Sequence, residues 1–299
     1  MSLRISVVGA PSSAGSFAPG QDRAPSALRQ AGLLEALRTA GHAVEDLGDT
    51  SYWRWRPDRQ NPRAQNAGRV RTTVDEVAAR VEGICASGRF ALVLGGDCTI
   101  ELGTVAGFTR ANAEIGLIYF DMHADMNTPD GAPPGALDWM GVAHMLNLPG
   151  AIPDLVNATG KIPSLEPSQV VVLGYRDDQA TYYERRDIER LGVRTVSIAE
   201  AAASPAAAAQ RALSRFPNPT TTLLIHFDVD VIDFTDAPLS ENPGRNIGLR
   251  QDAAFAVLQE LLKDTRVSAL TITELNPDHG EPDGSTVRDF SERLAKSFR

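Results

Sequence analysis

Eight short apolar runs, several nearly continuous in valine, isoleucine and leucine, constrain this chain more than any other feature. They are Arg4–Gly9, Ala43–Leu47, Phe90–Leu94, Ile115–Phe120, Gln169–Leu173, Val193–Ser197, Thr221–Phe227 and Val267–Thr273. A strand with no polar face is buried on both sides, the condition of a parallel sheet covered by helices. Helical patterns alternate with these runs, near Pro25–Thr39, Arg71–Ala86, Ala201–Arg215, Gln251–Leu262 and Asp283–Phe298. Ser204-Pro205 reads as a helix start or kink within the third of them. The alternation predicts one doubly wound α/β domain over residues 1–299. No internal repeat and no interdomain linker interrupts it.

In open parallel sheets, ligands bind beyond the carboxyl ends of the strands, and this chain places its carboxylates there. Ile115–Phe120 runs into Asp121-Met-His-Ala-Asp125, and Leu223-Leu-Ile-His-Phe227 runs into Asp228-Val-Asp230. Because side chains alternate along a strand, Asp121, His123 and Asp125 point one way at its carboxyl end, and Asp228 and Asp230 pair likewise at i and i+2. Carboxylates with an imidazole suit a hard or borderline divalent cation. One such strand end reads equally well as surface carboxylates; two, each closing a buried strand, favour a metal site. Ala91–Leu94 ends in Gly95-Gly-Asp-Cys98, where paired glycines allow a sharp turn. Cys98 is there either a thiolate entering the site or a small buried hydrophobe. Glu274, in Glu274-Leu-Asn-Pro277, either holds a cationic substrate group or serves as a structural carboxylate. The Gly- and Pro-rich loop Asn127–Gly141 and the loop Phe234–Asn246 follow the two ligand strands and are placed to shape a pocket.

Charge and composition narrow the partners. With 38 acidic against 29 basic residues the net charge is −9, which argues against nucleic acid and anionic membrane as partners. Trp53 and Trp55, interleaved with Arg54, Arg56, Arg59 and Arg63, therefore read as a surface loop near the site mouth. Cys85 and Cys98 are too few for a disulfide framework and suit a reducing compartment. No apolar stretch is long enough to cross a bilayer, and the opening run is too short for a signal sequence. The expected location is cytoplasmic.

Taken together and in order, Gly-Gly-Asp-Cys98, Asp121-Met-His-Ala-Asp125, Asp228-Val-Asp230 and Glu274-Leu-Asn-Pro277 resemble the arginase/agmatinase (ureohydrolase) family. The resemblance runs from Val7-Val-Gly-Ala-Pro11 and Pro25–Gly32 to Thr286-Val-Arg288, essentially the full chain. It implies a three-layer α/β/α sandwich around an eight-stranded, mostly parallel sheet. It also implies a hydrolase that cleaves a C–N bond of a small guanidino-type substrate with two Mn²⁺ ions per chain. Carried over by position, one ion takes Cys98, Asp121, Asp125 and Asp228, and the other takes His123, Asp121, Asp228 and Asp230. A close pair of such cations lowers the pKa of a shared water. Asp125 would orient that nucleophile, and Glu274 would pair with the guanidinium. Arginases are often trimers or hexamers, but no segment here identifies a homo-oligomer interface.

The departures from the family pattern bear on substrate. The family's usual residue at Cys98 is histidine; anionic sulfur changes the charge of the first site and suits Zn²⁺ or Fe²⁺ as well, or leaves a single-ion site. Arginases carry a proton-shuttling histidine where Asp138 stands, and an aspartate is shorter and ordinarily ionised. His144 is nearby in sequence, facing either the site or the core. His226 shares strand parity with Asp228 and Asp230 and is either a support behind the ligands or a packed core residue. Among head-group contacts Asn127 fits, but Pro134 and Ala136 replace hydrogen-bonding residues, and Gln179 stands at the place of an amine-binding aspartate. L-Arginine is therefore a poor fit. Nω-Hydroxy-L-arginine, whose N-hydroxyl lowers guanidine basicity, is the leading expectation, giving L-ornithine and hydroxyurea. Other guanidino or formimino compounds (arginase, agmatinase, guanidinobutyrase or formiminoglutamase type) stay open. So do two rival classes: a single-metal deacetylase-like enzyme, which metal stoichiometry separates, and a non-catalytic metal- or guanidino-binding paralogue, which turnover separates.

Overall fold

The computed structural model describes residues 2–111, 113–219 and 221–298. Among them, eight strands form one sheet: β1 (Arg4–Gly9), β2 (Ala43–Asp49), β3 (Phe90–Leu94), β4 (Ile115–Phe120), β5 (Val170–Tyr175), β6 (Arg194–Ser197), β7 (Thr222–Asp228) and β8 (Val267–Thr273). Their order is β2-β1-β3-β8-β7-β4-β5-β6, and every pairing is parallel. Four of the strands have the bounds expected from sequence, and the others move by one or two residues at an end. Thr221, expected to open the seventh, lies just before it.

Strand alternation sends side chains to two separate cores. Ile118, Phe120, Ile225 and Phe227 pack on one face with Leu28, Leu37, Leu258 and Phe290. These last come from α1 (Ala24–Gln30), α2 (Leu33–Thr39), α10 (Gln251–Leu261) and α11 (Ser285–Ser297). Leu117, Tyr119 and Leu224 pack on the other with Val74, Val77 and Val105. Those belong to α3 (Ala67–Ala86) and α4 (Ile100–Arg110). The shorter helices are α5 (Gly141–Met145), α6 (Pro153–Val156), α7 (Tyr182–Leu191), α8 (Ile198–Ala203) and α9 (Pro205–Leu213). The result is the expected three-layer α/β/α sandwich.

Three departures have local causes. The single helix expected over Pro25–Thr39 is two, because Gly32 sits at φ 84 between them. Ser204 leaves the helical region before Pro205, so the Ala-rich segment is kinked into α8 and α9. Helices α4 and α7 were not anticipated. Most of α4 is buried on every side, so it carries no one-sided apolar stripe, and α7 is short and mostly charged, with Ile188 and Leu191 turned to the core. Among the described residues no helix is long and apolar enough to cross a membrane.

Candidate active site

Four neighbouring strands at the centre of the sheet, β3, β8, β7 and β4, deliver the candidate residues at their carboxyl ends. The chain bends at Gly96 and Asp97 directly after β3, as expected, although neither of the paired glycines has a positive φ. They are needed because other backbone passes close by. A Cβ on Gly96 would lie 1.7 Å from Ser12 O, and one on Gly95 would lie 2.6 Å from Ile272 O. Asp97 N–H donates to Ser12 O and Glu274 N–H to Gly96 O at 3.0 and 2.8 Å, so the chain segments bearing Cys98 and Glu274 are fastened to each other.

The two carboxylate sets converge through turns, not through continued strand. β4 stops at Phe120, and His123 N–H donates to Asp121 Oδ1 at 2.7 Å. After β7 a 3₁₀ turn begins, and Asp230 N–H donates to Asp228 Oδ1, also at 2.7 Å. In each set the aspartate side chain closes a turn on the residue two positions later, folding residues i and i+2 toward one point. Asp125, at φ 47, and Glu274, at φ 60, are held in left-handed backbone. Such strain, about 1–3 kcal/mol for a non-glycine residue, persists where the surroundings enforce it and clusters at functional sites.

Two donor clusters result. One ligand atom each from Cys98, Asp121, His226 and Asp228 lie within 4.8 Å of one another, and so do one each from Asp121, His123 and Asp230. Cys98 Sγ is 3.0 Å from Asp228 Oδ2. His123 Nδ1 is 3.1 Å from Asp230 and 3.3 Å from Asp121. Asp125 stands apart from both clusters, taking the Tyr119 hydroxyl hydrogen at 2.5 Å on Oδ2. His226 is the addition: its Nε2 lies 3.6 Å from Cys98 Sγ.

A divalent cation pair fits the electrostatics of this basin. Asp121 Oδ2 and Asp230 Oδ1 are buried with no hydrogen-bond partner, a costly state for carboxylates lacking a cation. Burial, reinforced by the charge of Asp230, pushes Asp121 up to about 6. Burial and neighbouring carboxylates hold Asp125 and Asp228 well above the usual range. Burial raises the Cys98 thiol, and the charges of Asp228 and Glu274 raise it further. His123 goes the other way about: burial disfavours its charge, but Asp230 and Asp121 hold the ring protonated well above its ordinary value.

These groups open into a cavity of about 330 Å³ whose walls include Asn127, Asp138, Gln179 and Glu274, the four expected substrate contacts. Both long loops shape it, through Trp139 from the first and Glu241, Asn242 and Pro243 from the second. Thr181 donates to Asn127 Oδ1 at 2.8 Å. Glu274 receives Cys98 N–H and Gln21 Nε2–H, each at 3.0 Å, one on each oxygen. Gln21, which opens a 3₁₀ turn, is fully buried and was missed from sequence, because it lies far from every strand end. Asp138, expected to be ionised, is instead pushed well above the carboxylate range by burial, then by Asp97 and Asp125. The arginine- and tryptophan-rich segment does not reach the cavity wall; Gln65 N–H donates to Gly135 O at 3.0 Å, bracing the first loop from behind. His144 is not brought to the site. It is buried on α5 with Nδ1 2.6 Å from Met140 O, and burial lowers it to about 4, the core alternative.

Comparison with known proteins accords with this geometry. A family model described as the Arginase family matches residues 3–296. Human arginase-1 is 29% identical over 306 residues, covering 98% of this chain and 91% of the relative. Arginase from Bacillus subtilis (strain 168) is 29% identical over 297 residues, covering 98% of each. The crystal structure of arginase from Bacillus cereus superposes with a TM-score of 0.86 at 28% identity, covering 99% of this chain and 98% of that one. The chain belongs to the arginase family of metal-dependent amidinohydrolases.

Proposed function

We propose that this protein is a binuclear-manganese hydrolase of a linear guanidino compound, with Nω-hydroxy-L-arginine the best-fitting substrate. The observation that carries the two-ion reading is the pair of donor clusters sharing Asp121, each with a buried, unpartnered carboxylate oxygen. A single-metal deacetylase-like site needs only one of them. Cys98, Asp121 and Asp228 would hold the first ion, with Asp125 using the oxygen that Tyr119 leaves free. His123, Asp121, Asp228 and Asp230 would hold the second. Such a pair, when bound, supplies an activated water and a Lewis acid for the guanidino carbon.

The chain's own residues do the rest. Glu274, fixed by Cys98 N–H and Gln21, offers its carboxylate to the guanidinium. Tyr119 sets the direction of Asp125, which orients the nucleophile. Hydrolysis adds the water oxygen to the guanidino carbon and breaks its bond to the ornithine nitrogen, which leaves as an amine after gaining a proton. Asp138 lines the cavity, and its raised carboxyl, which keeps the neutral acid accessible, supports it as the proton carrier. It is shorter than the histidine of arginases, so a less basic and more electrophilic substrate relieves the step. Nω-Hydroxyarginine meets that condition, and its products are L-ornithine and hydroxyurea.

The test is turnover of Nω-hydroxyarginine, L-arginine and other guanidino and formimino compounds with Mn²⁺, reading urea and hydroxyurea separately. Nω-Hydroxyarginine should exceed L-arginine by about 100-fold or more in kcat, the size of a general acid–base contribution. Asp138→His should raise arginine turnover. Equal or better hydrolysis of L-arginine by the unaltered protein would overturn the substrate assignment.

A further inference from the structure

His226 is buried at the centre of the site, yet the reaction outlined above makes no use of it. Its register partners are Tyr119 on β4 and Thr271 on β8. Tyr119 stacks on the imidazole with centroids 3.9 Å apart and planes 1° from parallel, which fixes the ring plane. Nε2 faces Cys98 Sγ at 3.6 Å and Thr273 Oγ1 at 3.2 Å. Nδ1 faces Glu101 Oε2, also at 3.6 Å.

Glu101 is the unexpected member. It lies in the first turn of α4, is fully buried, and neither of its oxygens has a hydrogen-bond partner; nor has His226 Nδ1. A buried carboxylate so placed is strongly unfavourable unless something requires it. Cys98 and Glu101 stand three residues apart on one turn, with Glu101 N–H donating to Cys98 O at 3.3 Å. That single turn brackets the imidazole, sulfur at one nitrogen and carboxylate at the other. With a histidine at position 98 there would be no sulfur for His226 Nε2 to face, so the pair as built serves the cysteine.

We infer that His226 and Glu101 form a positioning pair dedicated to Cys98, holding Sγ toward Asp228 and Asp121 so that it serves as a metal donor. Partners of this kind behind a ligand set its orientation and donor strength, and their loss typically costs about 10–100-fold in metal affinity. The inference rests on the reading of Cys98 as a ligand. Nothing in it requires His226 to touch the metal or the substrate.

Cobalt(II) tests it without recourse to activity, because sulfur bound to cobalt gives a near-ultraviolet charge-transfer band. The full-length protein loaded with Co²⁺ should show that band, and Cys98→Ser should abolish it. His226→Phe, which keeps the stack on Tyr119, should shift or weaken the band and lower Co²⁺ affinity in chelator competition by about 10–100-fold. Glu101→Leu should move both readouts the same way, and Glu101→Gln, which keeps an oxygen facing the ring, should restore them. In a Cys98→His background, His226→Phe should change affinity by less than about twofold, since the sulfur it serves is gone. If His226→Phe does not fold, His226→Asn measured identically decides the matter. A band missing from the unaltered protein overturns the ligand reading itself. A band present but indifferent to His226 and Glu101 overturns the positioning pair alone. Loss of one ion from His226→Phe with the band intact would make His226 a ligand and also overturn it.

Discussion

At the scale of single residues, identity was legible where chemistry is local and illegible where it is made by approach. Asp121, His123, Asp228 and Asp230 announce themselves as polar residues ending apolar runs. Gln21, Glu101 and Tyr119 do not, because each reaches the site from a 3₁₀ turn, a helix turn or a strand interior that looks structural. The upward push on the Asp138 carboxyl is hidden from the sequence for the same reason: burial and the charges of Asp97 and Asp125 are properties of the assembled site. Cys98 gives the clearest residue-scale prediction. Cys98→Ser should weaken one metal site by at least about 10-fold, since a neutral hydroxyl replaces an anionic sulfur. Cys98→His should retain it, because imidazole also binds these ions. Metal content by mass spectrometry and diffraction at the metal edge check both.

Among elements, buried strands were read accurately and helices unevenly. A continuous apolar run admits few alternatives, so β1, β3, β4 and β8 have the anticipated bounds. Helix α4 hides because it is enclosed, and α7 because its exposed face dominates its composition. The strand ends also misled in part. Alternation placed the carboxylates on one side, but the chain leaves the strand at once and aspartate-closed turns make the convergence. The junction after β3 depends on Gly96, where a methyl group would collide with the Ser12 backbone. Gly96→Ala should destabilise the protein by about 3 kcal/mol or more, the upper end for overpacked sites. Chemical denaturation would report it as a lowered midpoint at unchanged slope.

For the whole molecule, the fold concentrates acids that it cannot neutralise alone. Asp121, Asp125, Asp138, Asp228 and Glu274 all have folded-state values raised above those of the unfolded chain, each first by burial and then by neighbouring charge. The folded state therefore binds more protons than the unfolded state above pH 4, and stability falls as pH rises through that window. For Asp121 the window runs from 3.8 to about 6. His123, also raised, acts in the same direction, and the depressed Asp230 acts only below 3.8. The buried His144, lowered from 6.5 to about 4, is the one group among the described residues that opposes them across that interval. Metal-free protein should thus melt higher at pH 5.5 than at pH 7.5, and Mn²⁺ should remove or invert that difference. Thermal melts with and without a chelator measure it; a metal-free protein most stable at pH 7.5 would oppose the account.

The central claim is a shared two-ion centre built from the ends of β3, β4 and β7. Its most direct test is metal stoichiometry at full activity: Mn²⁺ titrated into chelator-stripped protein, with bound metal and turnover of the best substrate followed together. Activity should reach its plateau at two ions per chain, and Asp121→Ala should lose bound metal and turnover in parallel. A plateau at one ion per chain would contradict it.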